Sequence, residues 1–225
     1  MTLPEGLVSC EDSLVRPTWA ATDLLLRDYY DTEWGSSVTS EQGVFERLVL
    51  ESFQSGLSWS TILKKRQAFR AAFASFIPEA VAAFTDQDRE RLMQDAGIVR
   101  NKRKIDAAIT NARAVIALRG ALAAEADAHR AGRMGEAPLT HLLRPRRSYP
   151  RHLGELVWLY QPSHQPRPRC AQEVPAQTEE SRALSLELKS RGFVFVGPVT
   201  ALALMSAIGI TNTDIIGTWK RPLAE

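Results

Sequence analysis

The stretch that decides the fold is LMQDAGIVRNKRKIDAAITNARAVI, Leu92 to Ile116. Its apolar residues keep the spacing of an amphipathic helix as far as Ala96-Gly97, break, and resume that spacing after the basic run. The pattern predicts a helix over Phe84 to Ala96, a tight turn over Gly97 to Asn101 and a second helix over Lys104 to Leu118. Arg100, Lys102, Arg103 and Lys104 surround the turn. Free amides at a helix N-terminus, helped by adjacent cations, bind phosphate. Gly97, Arg100, Asn101, Lys102 and Lys104 are therefore candidate contacts to a nucleic-acid backbone. An ordinary helical hairpin with a wet, basic loop fits the same residues.

Helical periodicity continues outward in both directions. Val44, Phe45, Leu48 and Val49 recur at helical spacing, as do Trp59, Ile62, Leu63, Arg66 and Phe69. Later helices are predicted over Leu153 to Tyr160, over Glu179 to Ser190, and from Pro198, well suited to a first turn, to near Gly209. GFVFVGP, Gly192 to Pro198, is the single strand candidate. The fold class is all-α. From Arg119 to Arg169 the composition changes to nine arginines, four acids and all four histidines. That segment reads as a long basic connection, either a solvated linker or a basic rim. The 225 residues suffice for one domain with an ample core. A net charge of +2 means that any nucleic-acid contact must rest on local clusters. Two distant cysteines, Cys10 and Cys170, exclude a disulfide framework and a four-cysteine metal site. With no signal peptide or transmembrane run expected, the expected location is the cytoplasm.

A second stretch, LESFQSGLSWSTILKKR (Leu50 to Arg66), sets a carboxylate among apolar residues. Val44, Leu48 and Glu51 share a helix face, so Glu51 points to the apolar side. Gly56 is a plausible helix stop and Ser58 a cap for the next helix. Glu51 is either paired with a nearby Lys or Arg, or projects into a pocket to meet a ligand, with Trp59 lining the same pocket. WAATDLLLRDYYDTEWG (Trp19 to Gly35) packs aromatics at a density that suits a core, or the walls of a pocket that stacks a flat base.

Taken together, DYYDTEWG, FERLVLESFQSGLSWSTILKKRQAFRAAF, DAGIVRNKRKIDAAITNARA, LVWLY and LKSRGFVFVGP resemble, in order, the motifs of the 3-methyladenine DNA glycosylase I family. The resemblance runs from about Trp19 to Trp219. It implies the two-lobed helix-hairpin-helix DNA glycosylase fold, one glycosylase domain over 1–225. The N- and C-terminal segments would form one lobe, and about 60–120 the lobe with the hairpin (about 86–116). The expected state is a monomer acting on double-stranded DNA with no membrane partner. The expected activity is flipping and excision of N3-alkylated adenine by hydrolysis of the N-glycosidic bond. The family's pocket acid matches Glu51, its stacking tryptophan Trp59, and further pocket aromatics Tyr29, Trp19 and Trp34. Gly56-Leu57 matches the segment that approaches DNA beside the flipped base.

Three departures accompany the resemblance. The family's structural zinc is held by two Cys and two His, and those positions are Pro17, Tyr30, Asp214 and Thr218 here. Zinc needs a near-complete set of N and S ligands, so no cofactor is expected. Tyr30 and Trp219 are expected to fill the space. A pocket tyrosine is replaced by Leu26, and the arginine-rich region is lengthened. These departures keep two alternatives open: a glycosylase retuned for bulky N3-adenine adducts, and a non-catalytic lesion-binding protein.

Overall fold

The computed structural model describes residues 3–133 and 148–222. The chain enters through a small antiparallel hairpin, β1 (Leu7–Ser9) and β2 (Val15–Pro17), with Leu7 opposite Pro17 and Ser9 opposite Val15. Sequence periodicity did not reveal these strands, because three residues are too few to show an alternation. GFVFVGP, the strand candidate, is irregular.

Nine α-helices follow among the described residues. They are α1 (Leu24–Thr32), α2 (Glu41–Gln54), α3 (Trp59–Ala72), α4 (Pro78–Ala82), α5 (Asp86–Gln94), α6 (Lys102–Arg130), α7 (Leu153–Trp158), α8 (Glu179–Ser190) and α9 (Pro198–Ala207). Their starts follow side-chain chemistry. Asp23, Ser40, Ser58 and Asn101 each accept a hydrogen bond from a first-turn amide, and Thr85 and Thr178 form reciprocal caps with Asp88 and Ser181. Gly56, at φ +80°, ends α2 as its position suggested.

Two sequence expectations require correction. α6 does not stop at Leu118 but continues to Arg130. The extension, GALAAEADAHR, is rich in strong helix formers, and its Leu122 and Ala128 are buried. Arg119, taken as the start of a basic connection, instead bonds Glu41 on α2 and Glu79 on α4. Arg151 likewise pairs with Glu155. Part of the supposed basic rim is therefore already neutralised, and 134–147 lies outside the described residues.

One continuous core links α2, α3, α5, α6, α7, α8 and α9 through residues such as Leu48, Phe53, Phe69, Leu92, Ile109, Leu156, Leu188 and Leu204. α6 is apolar and long enough to cross a membrane, but its residues from Ile105 to Leu122 contribute to this core. A smaller cluster, Leu26, Tyr29 and Leu63, packs against Trp34 and Trp59 and joins α1 to α3.

Candidate active site

α2 carries Glu51 into the protein. Residues Leu48 to Phe53 are all buried, and Glu51 is 4% exposed. Its carboxyl faces a cavity of about 470 Å³ whose walls include Trp19, Leu26, Trp34, Trp59 and Ala203. Each wall has a distinct anchor. Trp34 follows α1, its amide donating to the Tyr29 carbonyl at 2.9 Å, and Lys220 Nζ donates to the Trp34 carbonyl at 2.7 Å. Trp59 opens α3, and the adjacent Ser60 hydroxyl donates to Asp23, the cap of α1, at 3.1 Å. Trp19 and Trp34 meet edge to face at 5.5 Å. Tyr29 stands behind these walls, 5.4 Å from the Trp59 ring and 6.1 Å from the Trp34 ring. It braces the tryptophans instead of lining the cavity, which adjusts the role expected for it.

No hydrogen bond or ion pair reaches Glu51 among the described residues. The nearby cations are otherwise engaged. Arg66 bonds Glu33 at 2.7 Å and Glu46 at 3.0 Å, Arg70 bonds Glu46 at 2.9 Å, and Arg47 lies 3.2 Å from Glu33. Burial pushes the Glu51 carboxyl up from 4.5 to about 8, and the positive charge of Arg47 only partly opposes this. Burial beside Glu51 also raises the Tyr29 phenol. The Trp59 indole N–H is buried without an acceptor. An isolated acid and an unmatched donor thus adjoin one aromatic cavity, where each costs stability until something else satisfies it.

The basic turn forms as expected and is fastened to α3. Lys65 Nζ donates to the carbonyls of Ala96 at 2.9 Å and Gly97 at 3.2 Å. A side chain at position 97 would place its Cβ 3.0 Å from that of Ala68, so glycine permits this close approach. Asn101 caps α6, its side chain accepting from the Lys104 amide at 3.2 Å. Arg100, Asn101, Lys102 and Arg103 are exposed around the turn.

Lys104 is a correction. It is 8% exposed, and its ammonium donates to the carbonyls of Phe53 at 2.8 Å and Ser55 at 2.6 Å. It closes the C-terminus of α2 with two of its three N–H groups, and its burial keeps it from the exposed turn. Its position gave the signal: Lys104, Ala108, Asn111 and Val115 share a helix face, and all are buried. Gly56 and Leu57 form the turn beside it, with Leu57 39% exposed. Ala203 was missed, since an alanine in the apolar helix α9 gives no sign that it lines a site.

A model of the family described as methyladenine glycosylase matches residues 19–131 and 141–221. The chain belongs to that family. The glycosylase is 39% identical over 202 residues to DNA-3-methyladenine glycosylase 1 of Escherichia coli (strain K12), covering 88% of this chain and 92% of that protein. It is 33% identical over 203 residues to the DNA-3-methyladenine glycosylase of Haemophilus influenzae (strain ATCC 51907 / DSM 11121 / KW20 / Rd), covering 89% and 94%. A solved variant of 3-methyladenine DNA glycosylase I in complex with 3-methyladenine superposes with a TM-score of 0.72 at 27% identity, covering 91% of this chain and 96% of that one. The glycosylase thus has the all-α helix-hairpin-helix fold of these enzymes.

The positions at which the resemblance places a zinc set do not fit the metal. Pro17 offers no side-chain donor. Tyr30 is fully buried and donates its hydroxyl to Asp214 at 3.1 Å. Its ring meets Trp19 and Trp219 edge-on at 5.6 and 6.5 Å, and Lys220 Nζ lies 4.9 Å from its centroid. No group of three or more His, Cys, Asp or Glu side chains suited to a metal occurs among the described residues. The termini of the glycosylase are joined by packing and by Asp31, which accepts from both Arg16 and Trp219 at 3.0 Å.

Proposed function

We propose that this glycosylase flips N3-alkylated adenine, 3-methyladenine above all, out of double-stranded DNA and hydrolyses its N-glycosidic bond. The observation that carries the reading is the partnerless, buried Glu51 facing a cavity walled by Trp19, Trp34 and Trp59. A base inside a duplex must be extruded before chemistry can reach it. Adenine alkylated at N3 is cationic in the nucleotide, and aromatic faces attract such a ring by roughly 0.5–2 kcal/mol per contact. The cation also favours ionisation of Glu51, which then accepts hydrogen bonds from the exocyclic amine. Neutral adenine provides no such drive, so the unpaired acid selects for the lesion.

The base departs neutral and needs no proton. Water adds at C1′ and gives up its proton as the N-glycosidic electrons return to the base. Glu51 is the one acid among the residues lining the cavity, so orienting that water would fall to it as well. Arg100, Lys102 and Arg103, with the amides that open α6, hold phosphate, while Gly56-Leu57 approaches the duplex next to the pocket. The names of the relatives support the substrate, and the relative's complex supports binding of the free base.

One feature favours a broader substrate range. Leu26 lines the cavity in place of a tyrosine, and a second apolar cavity of about 590 Å³ shares Trp19, Trp34 and Ala203 with it. Larger N3 substituents have room there. The test is single-turnover base release from duplexes bearing 3-methyladenine or a bulky N3-adenine adduct, using wild type, Glu51→Gln and Trp59→Ala. Tight lesion binding by the wild type without release of either base would overturn the proposed activity.

A further inference from the structure

The GFVFVGP segment is bounded by glycines and built to hold an exposed tip. Phe193 and Val196 are buried at 2% and 1%, while Val194 and Phe195 between them are 39% and 40% exposed. Three helices grip its backbone. Asn111 on α6 accepts from the Val194 amide at 2.8 Å and donates to its carbonyl at 3.0 Å. Ser52 on α2 donates to the Phe195 carbonyl at 3.3 Å, and Ser185 on α8 donates to the Val196 carbonyl at 2.6 Å.

Phe195 adopts φ +57°, a left-handed conformation that is strained for an aromatic residue. Phe76 adopts the same φ, but it is fully buried and stacked on Phe73 at 5.7 Å, so packing compensates it. Phe195 is 40% exposed, so its strain lacks the full packing that compensates Phe76. The tip also adjoins the elements assigned to DNA. Ser52 follows Glu51 in sequence, and Asn111 lies seven residues beyond Lys104, about 10 Å along α6. Lys104 in turn fastens the end of α2, next to Gly56-Leu57.

We infer that the Val194-Phe195 tip is a wedge, which packs against the duplex beside the extruded nucleotide with Phe195 stacked on an exposed base. Apolar side chains between base steps and aromatic faces on unpaired bases are established means of stabilising opened DNA. Here the hydrogen-bonded loop supplies a rigid mount that does not have to be ordered on binding. The inference rests on the glycosylase reading, since a wedge is useful where a base is flipped.

The test uses Phe195→Gly and Phe195→Ala in the full chain. Readouts are affinity for duplexes containing a stable abasic analogue, affinity for undamaged duplex, binding of free 3-methyladenine, and melting temperature. Stacking on one base predicts a loss of about 10- to 100-fold in affinity for the abasic duplex. Undamaged-duplex affinity should change less, and free-base binding should be unchanged. Because glycine tolerates φ +57°, Phe195→Gly should melt no lower than Phe195→Ala. Wild-type affinity for the abasic duplex in both variants would overturn the wedge. Loss of free-base binding together with a large fall in melting temperature would overturn it too, by making the loop a structural support. If wild type releases no 3-methyladenine, the proposed activity fails, whereas the affinity comparison still decides the role of Phe195.

Discussion

Glu51→Gln should stabilise the protein by an amount that grows with pH. The folded carboxyl sits at about 8 against an ordinary value of 4.5, so the folded protein holds a proton that the unfolded chain has lost across that window. Stability contributed by this group is therefore complete below pH 4.5 and declines as pH rises towards 8. At roughly 1.4 kcal/mol per pH unit, the decline reaches about 5 kcal/mol above pH 8. This is an upper value, because water entering the cavity screens the charge. Gln keeps the size of the protonated acid and removes the titration. At pH 5 both side chains are neutral and both lack partners, so the two proteins should melt within a few degrees of each other. At pH 9 the Gln variant should melt higher, on the order of 10 °C, since a protein of this size gains about 2–4 °C per kcal/mol. The assay is thermal melting of both proteins in matched low-salt buffers from pH 5 to 9, with base release measured on the same samples. A Gln variant that melts well below wild type at pH 9 would refute the reasoning. It would mean that Glu51 is ionised and paired in the resting protein, where losing one partner costs about 3–5 kcal/mol.

Four further outcomes are expected. For 3-methyladenine excision, kcat/KM should rise with pH towards a plateau above about 8, and the rise should be absent from Glu51→Gln; a flat wild-type profile would separate ionisation of Glu51 from lesion capture. Lys102→Glu should weaken binding to all DNA alike and flatten the salt dependence by about one ion, because its pairing with Asp106 at 3.6 Å is solvent-exposed and weak; a loss confined to lesion DNA would contradict this. Lys104→Met should leave the salt dependence unchanged and lower stability by about 1–3 kcal/mol through two carbonyls left without a donor, as read from denaturant unfolding. Elemental analysis should find no stoichiometric zinc, chelators should not move the melting temperature, and Tyr30→Phe should lower it by removing one of the donors to buried Asp214; about one zinc per chain would contradict the fit argued for those positions.

The sequence shows what periodicity and residue type can encode. Glu51 betrays itself as a charge at an apolar helical position, and the basic turn as a break between two amphipathic runs. Its partnerlessness is not legible, because Arg47, Arg66 and Arg70 lie close enough in sequence to be candidate partners. Only the fold brings Glu33 and Glu46 between them. The N-terminal hairpin is too short to alternate visibly. The extension of α6 was hidden because its arginines suggested a linker while its alanines made a helix. Lys104 was misjudged on its charge, although its helical register already placed it inside.

These misreadings share a cause, which bears on how the site works. Charge in this sequence does not mark contact with DNA by itself, because the fold uses much of it internally. Glu33 and Glu46 hold the arginines near the pocket, and so leave Glu51 without a cationic partner. Lys104 joins the start of α6 to the end of α2, the helix that carries Glu51. The basic turn and the aromatic cavity are thus held in one frame by a buried ammonium. On the proposed function, the residues assigned to DNA and the acid assigned to the base would be set in register before the duplex arrives, leaving little ordering to be done when the lesion enters.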